Sequence, residues 1–204
     1  MHVECREVRK SYGAMEVLRG FTATFRAGRV AALVGANGAG KTTLLRIIAG
    51  LQFADAGSLS GGRVLFYGGS ETLPLRGRVD GLRKALGLPG AVKGGDGVLA
   101  RLSRGQLHAV GLEIAVDLDP DVLLLDEPWT SLDPDARDRL SARLRETASS
   151  GRVVICSTHD LDEVSRIADD VIFLREGQAV VASREDDGAL DRDRLLAGYR
   201  GSSA

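Results

Sequence analysis

The residues Gly35-Ala36-Asn37-Gly38-Ala39-Gly40-Lys41-Thr42-Thr43 fit the pattern G-x-x-x-x-G-K-[ST]. The spacing has a chemical reason. Glycines let the backbone turn so that successive N–H groups point inward at phosphate oxygens. A helix that follows directly presents its positive end to the same anion. Lys41 would neutralise the β- and γ-phosphates, and the Thr42 hydroxyl is placed to ligate Mg²⁺. The apolar run Val30 to Val34 before the loop, and Leu44, Leu45, Ile47 and Ile48 after it, supply the strand and helix that such a loop needs.

A second pair of chemical groups ends another apolar run, Val122-Leu-Leu-Leu-Asp-Glu127. If that run is a strand of a parallel sheet, both acids stand at its carboxyl edge, where ligands bind. Asp126 can then hold Mg²⁺, directly or through water. Glu127 can polarise a water for in-line attack on a phosphate. Together the two stretches indicate ATP binding and hydrolysis, with ATP and Mg²⁺ as the expected ligands.

These groups need a scaffold. Strands are expected over Val3 to Arg9, Val17 to Phe25, Val30 to Val34, Val64 to Tyr67, Val122 to Leu125 and Val153 to Cys156, and helices over Thr42 to Leu51, Ser103 to Leu118, Pro134 to Ala148 and Leu161 to Ala168. Leu51 is expected on the apolar face of the first helix, and Ser103 can cap the second. Val171 to Leu174 and Ala179 to Ala182 read as a closing pair of strands around Glu176-Gly177. Apolar strands alternating with helices imply a parallel sheet covered on both faces. From Gly68 to Leu102 glycine and charge dominate and the periodic pieces are short, such as Val79 to Leu86. The fold class is therefore α/β, a P-loop NTPase core in a single domain spanning 1–204. Its core is 1–69 with 103–183, with a short helical insertion at 70–102 and a charged tail at 184–204.

Bulk properties bound the function. The 204 residues suffice for one well-cored domain. A net charge of −1, with both signs spread along the chain, argues against nucleic acid as a partner. Cys5 and Cys156 lie far apart, outside any metal-ligand spacing, and read as buried reduced thiols of a cytosolic protein. There is no run of about 18 apolar residues to span a membrane. The opening MHVECREVRK has no apolar core of a secretory signal. A membrane role would require another chain to provide the membrane part.

The stretch Leu102-Ser103-Arg104-Gly105-Gln106 resembles the LSGGQ signature of ABC-type ATPases, and other short motifs of that family stand in order around it. Lys10-Ser-Tyr-Gly13 resembles the loop whose aromatic stacks on adenine, a role that falls to Tyr12. Asp126-Glu-Pro-Trp-Thr-Ser-Leu-Asp133 is similar to the acidic strand end continued by the D-loop, here Ser131, Leu132 and Asp133. Ser157-Thr-His-Asp160 resembles the switch region, whose His159 would contact the γ-phosphate. The resemblance runs from about Val3 to Ala182 and implies the ABC ATPase fold, with an antiparallel N-terminal β subdomain. It also implies a head-to-tail dimer, of two copies or of one copy with a related chain, in which the phosphate loop of one subunit and the signature of the other sandwich each ATP. Ser103 and the Gly105 backbone would touch the γ-phosphate bound by the partner.

Three positions depart from the family pattern. Arg104 replaces the first glycine of the signature, and His108 stands where a basic residue often follows it. The Mg²⁺-ligating glutamine expected after Val64 to Tyr67 is absent from Tyr67-Gly-Gly-Ser-Glu-Thr72. Glu71, or a water held by Ser70, is the nearest substitute as a metal ligand.

The expected role is a transporter motor that hydrolyses ATP on a separate polytopic permease, cytoplasmic and peripheral on the inner face of the cell membrane. The alternatives are a soluble ABC ATPase, as in cofactor assembly, and a binding module without hydrolysis. Intact Lys41, Glu127 and His159 oppose the last. The short insertion and the Asp-Glu-Pro-Trp-Thr run are similar to compact export-type members, including the haem-exporter branch. The cargo is not written in this chain.

Overall fold

The computed structural model describes residues 1–68 and 103–183 together with Leu195. The expected insertion at 70–102, with Ser70, Glu71 and the signature's Leu102, lies outside the described residues, as does the tail apart from Leu195.

Two sheets form the framework. Strands β1 (His2–Tyr12), β2 (Met15–Arg26) and β4 (Ala56–Ser60) make an antiparallel sheet in the order β2-β1-β4. The mixed sheet contains β3 (Val30–Val34), β5 (Val64–Tyr67), β6 (Val122–Asp126), β7 (Val153–Thr158), β8 (Asp170–Arg175) and β9 (Gln178–Ser183), in the order β5-β6-β7-β3-β8-β9. Its first five strands are parallel, and β9 closes the edge antiparallel to β8. Glu176 and Gly177, both at positive φ, form the two-residue turn between them, a geometry that matches the twist of the flanking strands.

Period-two alternation divides the core. Ala31, Leu33, Val122, Leu124, Val153 and Ile155 face the N-terminal sheet and helix α1 (Lys41–Ile48). Val30, Leu123, Leu125, Val154 and Cys156 face α2 (Arg104–Asp117) and α3 (Pro134–Ser149). With both faces covered, the central strands are continuously apolar. Cys156 is completely buried and burial pushes its thiol pKa up; Cys5, also buried, is pushed up to about 12 by desolvation and by neighbouring Glu4. Leu195 packs with Val34, Val164 and Phe173 against α4 (Leu161–Ile167).

Two expectations are corrected. The first helix stops at Ile48 rather than Leu51, and Leu51 is exposed instead of joining the apolar face. Gly50, at φ +68, takes a conformation that would strain any other residue, and it turns the chain away from the helix. The strand β4 escapes sequence reading because all five of its residues are exposed, so no hydrophobic alternation marks it.

Candidate functional site

Sheet order explains why distant segments meet. Strand β7 lies between β6 and β3, so the carboxyl ends of three parallel neighbours share one edge. From that edge leave the glycine loop after β3, Asp126-Glu127 at the end of β6 and His159 after β7. The register places Asp126 beside Ser157, and Thr158 beside Val34.

The glycine loop leads into α1 through Gly40, whose φ is +103. A Cβ there would stand 2.7 Å from the Val17 side chain, so glycine is required both by conformation and by space. Lys41 is buried. Its Nζ donates to the Gly35 carbonyl at 2.8 Å and the Ala36 carbonyl at 3.3 Å, and lies 3.6 Å from Glu127 Oε1. Val17, Asn37, Gly38, Gly40, Lys41, Thr42, Thr43, Asp126 and Glu127 line a cavity of about 270 Å³.

The Thr42 hydroxyl donates to Asp126 Oδ2 at 2.7 Å, while the Ser157 hydroxyl donates to Asp126 Oδ1. Thr42 and Asp126 thus offer adjacent hard oxygens, the donor chemistry of a small divalent cation that keeps waters and substrate phosphates as its other ligands. Among the described residues no group of three or more His, Cys, Asp or Glu gathers into a metal cluster, and a site of this open kind needs none.

Glu127 has φ +50, a left-handed conformation that a non-glycine residue seldom adopts. Its N–H is held by the Ser157 carbonyl at 3.1 Å and the Ser157 hydroxyl at 3.0 Å. The turned backbone puts the carboxylate between Lys41 and His159, whose Nδ1 lies 3.0 Å from Glu127 Oε2. The structure therefore brings Lys41, Thr42, Asp126, Glu127 and His159 together at one sheet edge. Ser157, which holds both acids, has no role of its own in the sequence pattern. Its importance follows from strand adjacency, which no local pattern encodes.

Tyr12 is half-exposed at the rim, its hydroxyl bonded to the Gln52 amide. Hydrogen bonding to Thr43, then to Gln52, lowers the phenol pKa. Lys10 lies 5.8 Å from the ring centroid and is fixed by Asp55 at 2.6 Å.

The signature lies at the start of α2. Ser103 is its N-cap, as expected, and the cap is reciprocal: the Ser103 hydroxyl accepts from the Gln106 N–H at 3.2 Å, and the Gln106 side chain accepts from the Ser103 N–H at 2.9 Å. The S-x-x-Q spacing announces such a box. Arg104 opens the helix, and Gly105 packs against the carbonyl of Ser131 in the D-loop segment, where Ser131 has φ +65. Asp133 caps α3 by accepting from the Ala136 N–H at 2.8 Å.

His108, two residues past Gln106, ties three elements. Its Nε2 lies 3.0 Å from the Pro128 carbonyl, its Nδ1 lies 3.1 Å from the Tyr67 hydroxyl, and that hydroxyl also reaches the His108 carbonyl at 3.1 Å. Burial lowers the His108 pKa, partly offset by the hydrogen bond to Pro128, and burial raises that of Tyr67 to about 12. A histidine whose folded pKa is depressed binds fewer protons folded than unfolded below its ordinary value of 6.5. Its contribution to stability is complete above that value and is lost as pH falls towards the folded pKa. The urea midpoint should therefore fall less steeply between about pH 7.5 and 5.5 in a His108→Gln variant than in the parent; equal slopes would remove His108 from this role.

Known proteins resemble this chain in sequence and in fold. Residues 18–76 match the ABC transporter family, and residues 94–165 match a family described as AAA domain, putative AbiEii toxin, Type IV TA system. The nickel import ATP-binding protein NikO of Rhodobacter capsulatus is 34% identical, the alignment covering 98% of each chain. The Nod factor export ATP-binding protein I of Ralstonia nicotianae is 31% identical over 87% of this chain and 65% of its own length. A solved ATP-binding subunit of an ABC transporter superposes with a TM-score of 0.71 at 26% identity, covering 99% of this chain and 95% of that one.

Proposed function

Because this chain belongs to the ATP-binding proteins of ABC transporters, we propose that it is a motor subunit that hydrolyses ATP at the edge formed by β3, β6 and β7 and drives a separate membrane permease. The observation that carries this reading is the placement of Glu127 between Lys41 and His159, beside the Thr42–Asp126 pair.

In this reading the amides of Gly35 to Thr43 and the start of α1 receive the phosphates. Lys41 exchanges its carbonyl partners for β- and γ-phosphate oxygens. Glu127 orients the attacking water and accepts its proton, and His159 holds Glu127 and faces the γ-phosphate. Thr42 and Asp126 would hold Mg²⁺, which offsets charge on the phosphates when bound. Glu71, or Ser70 through a water, would complete its ligands. Ser103 and Gly105 of one copy would close over the phosphate held by the other, with Ser131, Leu132 and Asp133 beside them.

Tyr12 would stack on the adenine. Tyr12→Phe keeps the ring but loses its hydroxyl anchors, and should raise KM for ATP a few-fold. Tyr12→Ala also loses the stack, worth ~1–3 kcal/mol per base, and should raise KM by about tenfold or more. Equal KM values for parent and Tyr12→Ala, measured in steady-state ATPase assays, would place the base elsewhere.

The permease partner would hold this subunit at the inner face of the membrane, since no helix among the described residues is long and apolar enough to cross. The short 70–102 segment and the Asp126–Thr130 run favour a compact export-type subunit similar to the haem-exporter branch. Co-purification from detergent extracts tests the transport role. A polytopic membrane protein retained with the tagged chain is expected; a soluble complex with intact ATPase activity would favour the cofactor-assembly alternative.

A further inference from the structure

The first turn of α3 carries an arginine that belongs to none of the nucleotide-site motifs. Asp133 caps the helix, and the Arg137 N–H closes the first turn onto the Asp133 carbonyl at 3.0 Å. The backbone of Arg137 is therefore fixed relative to the 131–133 segment. Its guanidinium reaches in two directions. Nε donates to the Leu132 carbonyl at 3.3 Å. Nη1 donates to Asp160 Oδ2 at 3.3 Å and lies 3.6 Å from Glu163 Oε1.

Both far partners bear on His159. Asp160 is the next residue in the chain. Its second oxygen, Oδ1, accepts from the N–H groups of Asp162 and Glu163 and so caps α4, while its own N–H donates to the Thr158 hydroxyl at 3.0 Å. Glu163 is 4% exposed, and its Oε2 has no hydrogen-bond partner among the described residues. A carboxylate so buried needs nearby cations, and Arg137 and Arg166 supply them at 3.6 and 3.8 Å. The His159 side chain is mostly exposed and is met by the Glu127 carboxylate. Its position therefore depends heavily on how firmly its backbone neighbour is held.

We propose that Arg137 is a positioning residue for hydrolysis, tying the Leu132 carbonyl in the 131–133 segment to Asp160 so that the placement of His159 follows the conformation of that segment. The planar fork suits such a tie, because one guanidinium serves a carbonyl and a carboxylate at once, which the point charge of a lysine cannot reproduce. Gly105 of the signature helix abuts the carbonyl of Ser131, one residue before Leu132. Movement of the signature helix is thus passed through Ser131, Leu132 and Arg137 to the residue beside His159. This coupling rests on the hydrolytic reading of Glu127 and His159.

The test measures steady-state ATP hydrolysis by the full chain with Arg137→Met, Arg166→Gln and the double variant Arg137→Met/Glu163→Gln. A catalytic group displaced by a fraction of an ångström costs turnover rather than ground-state binding. Arg137→Met should lower kcat about tenfold or more and leave KM for ATP within about twofold. Arg166→Gln, which leaves the tie intact, should keep kcat within about twofold of the parent.

The double variant removes the stranded buried carboxylate, so it should regain thermal stability and keep the low kcat. Recovery of kcat in the double variant would overturn the proposal, because Arg137 would then only neutralise Glu163. Parent-like kcat in a folded Arg137→Met would overturn it as well, as would an equal loss in Arg166→Gln. A parent chain that does not hydrolyse ATP would defeat the hydrolytic reading itself and the inference with it.

Discussion

Replacing Glu127 by glutamine should reduce ATP turnover by about 10²-fold or more, the scale of a lost general base. Nucleotide binding should survive. The amide is isosteric, can still meet His159, and removes a negative charge 3.6 Å from Lys41 that would otherwise face an incoming polyanion. Bound ATP should then persist and hold two copies together. Light scattering should show a dimer with ATP in the Glu127→Gln variant and a monomer without it. A variant that hydrolyses at the parental rate would remove Glu127 from the chemistry. One that stays monomeric at saturating ATP would rule out the sandwich of phosphate loop and signature. The left-handed backbone supports a specific role for this side chain, since φ +50 at a glutamate is strain that Ser157 must hold in place.

The second large effect is expected at Gly105. An alanine in the first turn of a helix ordinarily gains up to about 1 kcal/mol over glycine. At Gly105 the added Cβ would stand 2.8 Å from the Ser131 carbonyl oxygen, closer than carbon and backbone oxygen approach. Relief requires α2 or the 131–133 segment to shift, and overpacking of this kind costs ~1–3 kcal/mol. The clash outweighs the propensity. Gly105→Ala should lower the urea midpoint and reduce turnover further than the stability loss accounts for, because the segment displaced is the one beside Arg137. An unchanged midpoint would mean that the contact yields freely.

Segments that carry their own signal are legible in the sequence. The glycine loop, the apolar strands and the capping residue Ser103 are local patterns, and each appears where its pattern points. The Glu176-Gly177 turn is local in the same way. Legibility ends where the signal is absent or non-local. Strand β4 is held by pairing with β1 and has no buried face to betray it. Apolar spacing alone draws Leu51 into a helix that Gly50 has already ended. Ser157, Arg137 and Gln52 act through neighbours 23 to 40 positions away, at contacts that only the assembled fold defines. The Asp126–Glu127 pair is legible as chemistry, but not the turned backbone that separates its two roles, one carboxylate facing Thr42 and the other His159.

The Lys41 ammonium, resting on the carbonyls of Gly35 and Ala36, has a thermodynamic consequence. A loop that supplies acceptors to its own cation is already ordered around the place where a phosphate would lie. Nucleotide capture becomes an exchange of one set of oxygens for another, with little chain entropy left to lose. In the proposed mechanism the same exchange would free Glu127 from the Lys41 ammonium as the γ-phosphate arrives. Arrival of the substrate and release of the carboxylate would then be two sides of a single displacement, made by one lysine moving a short way.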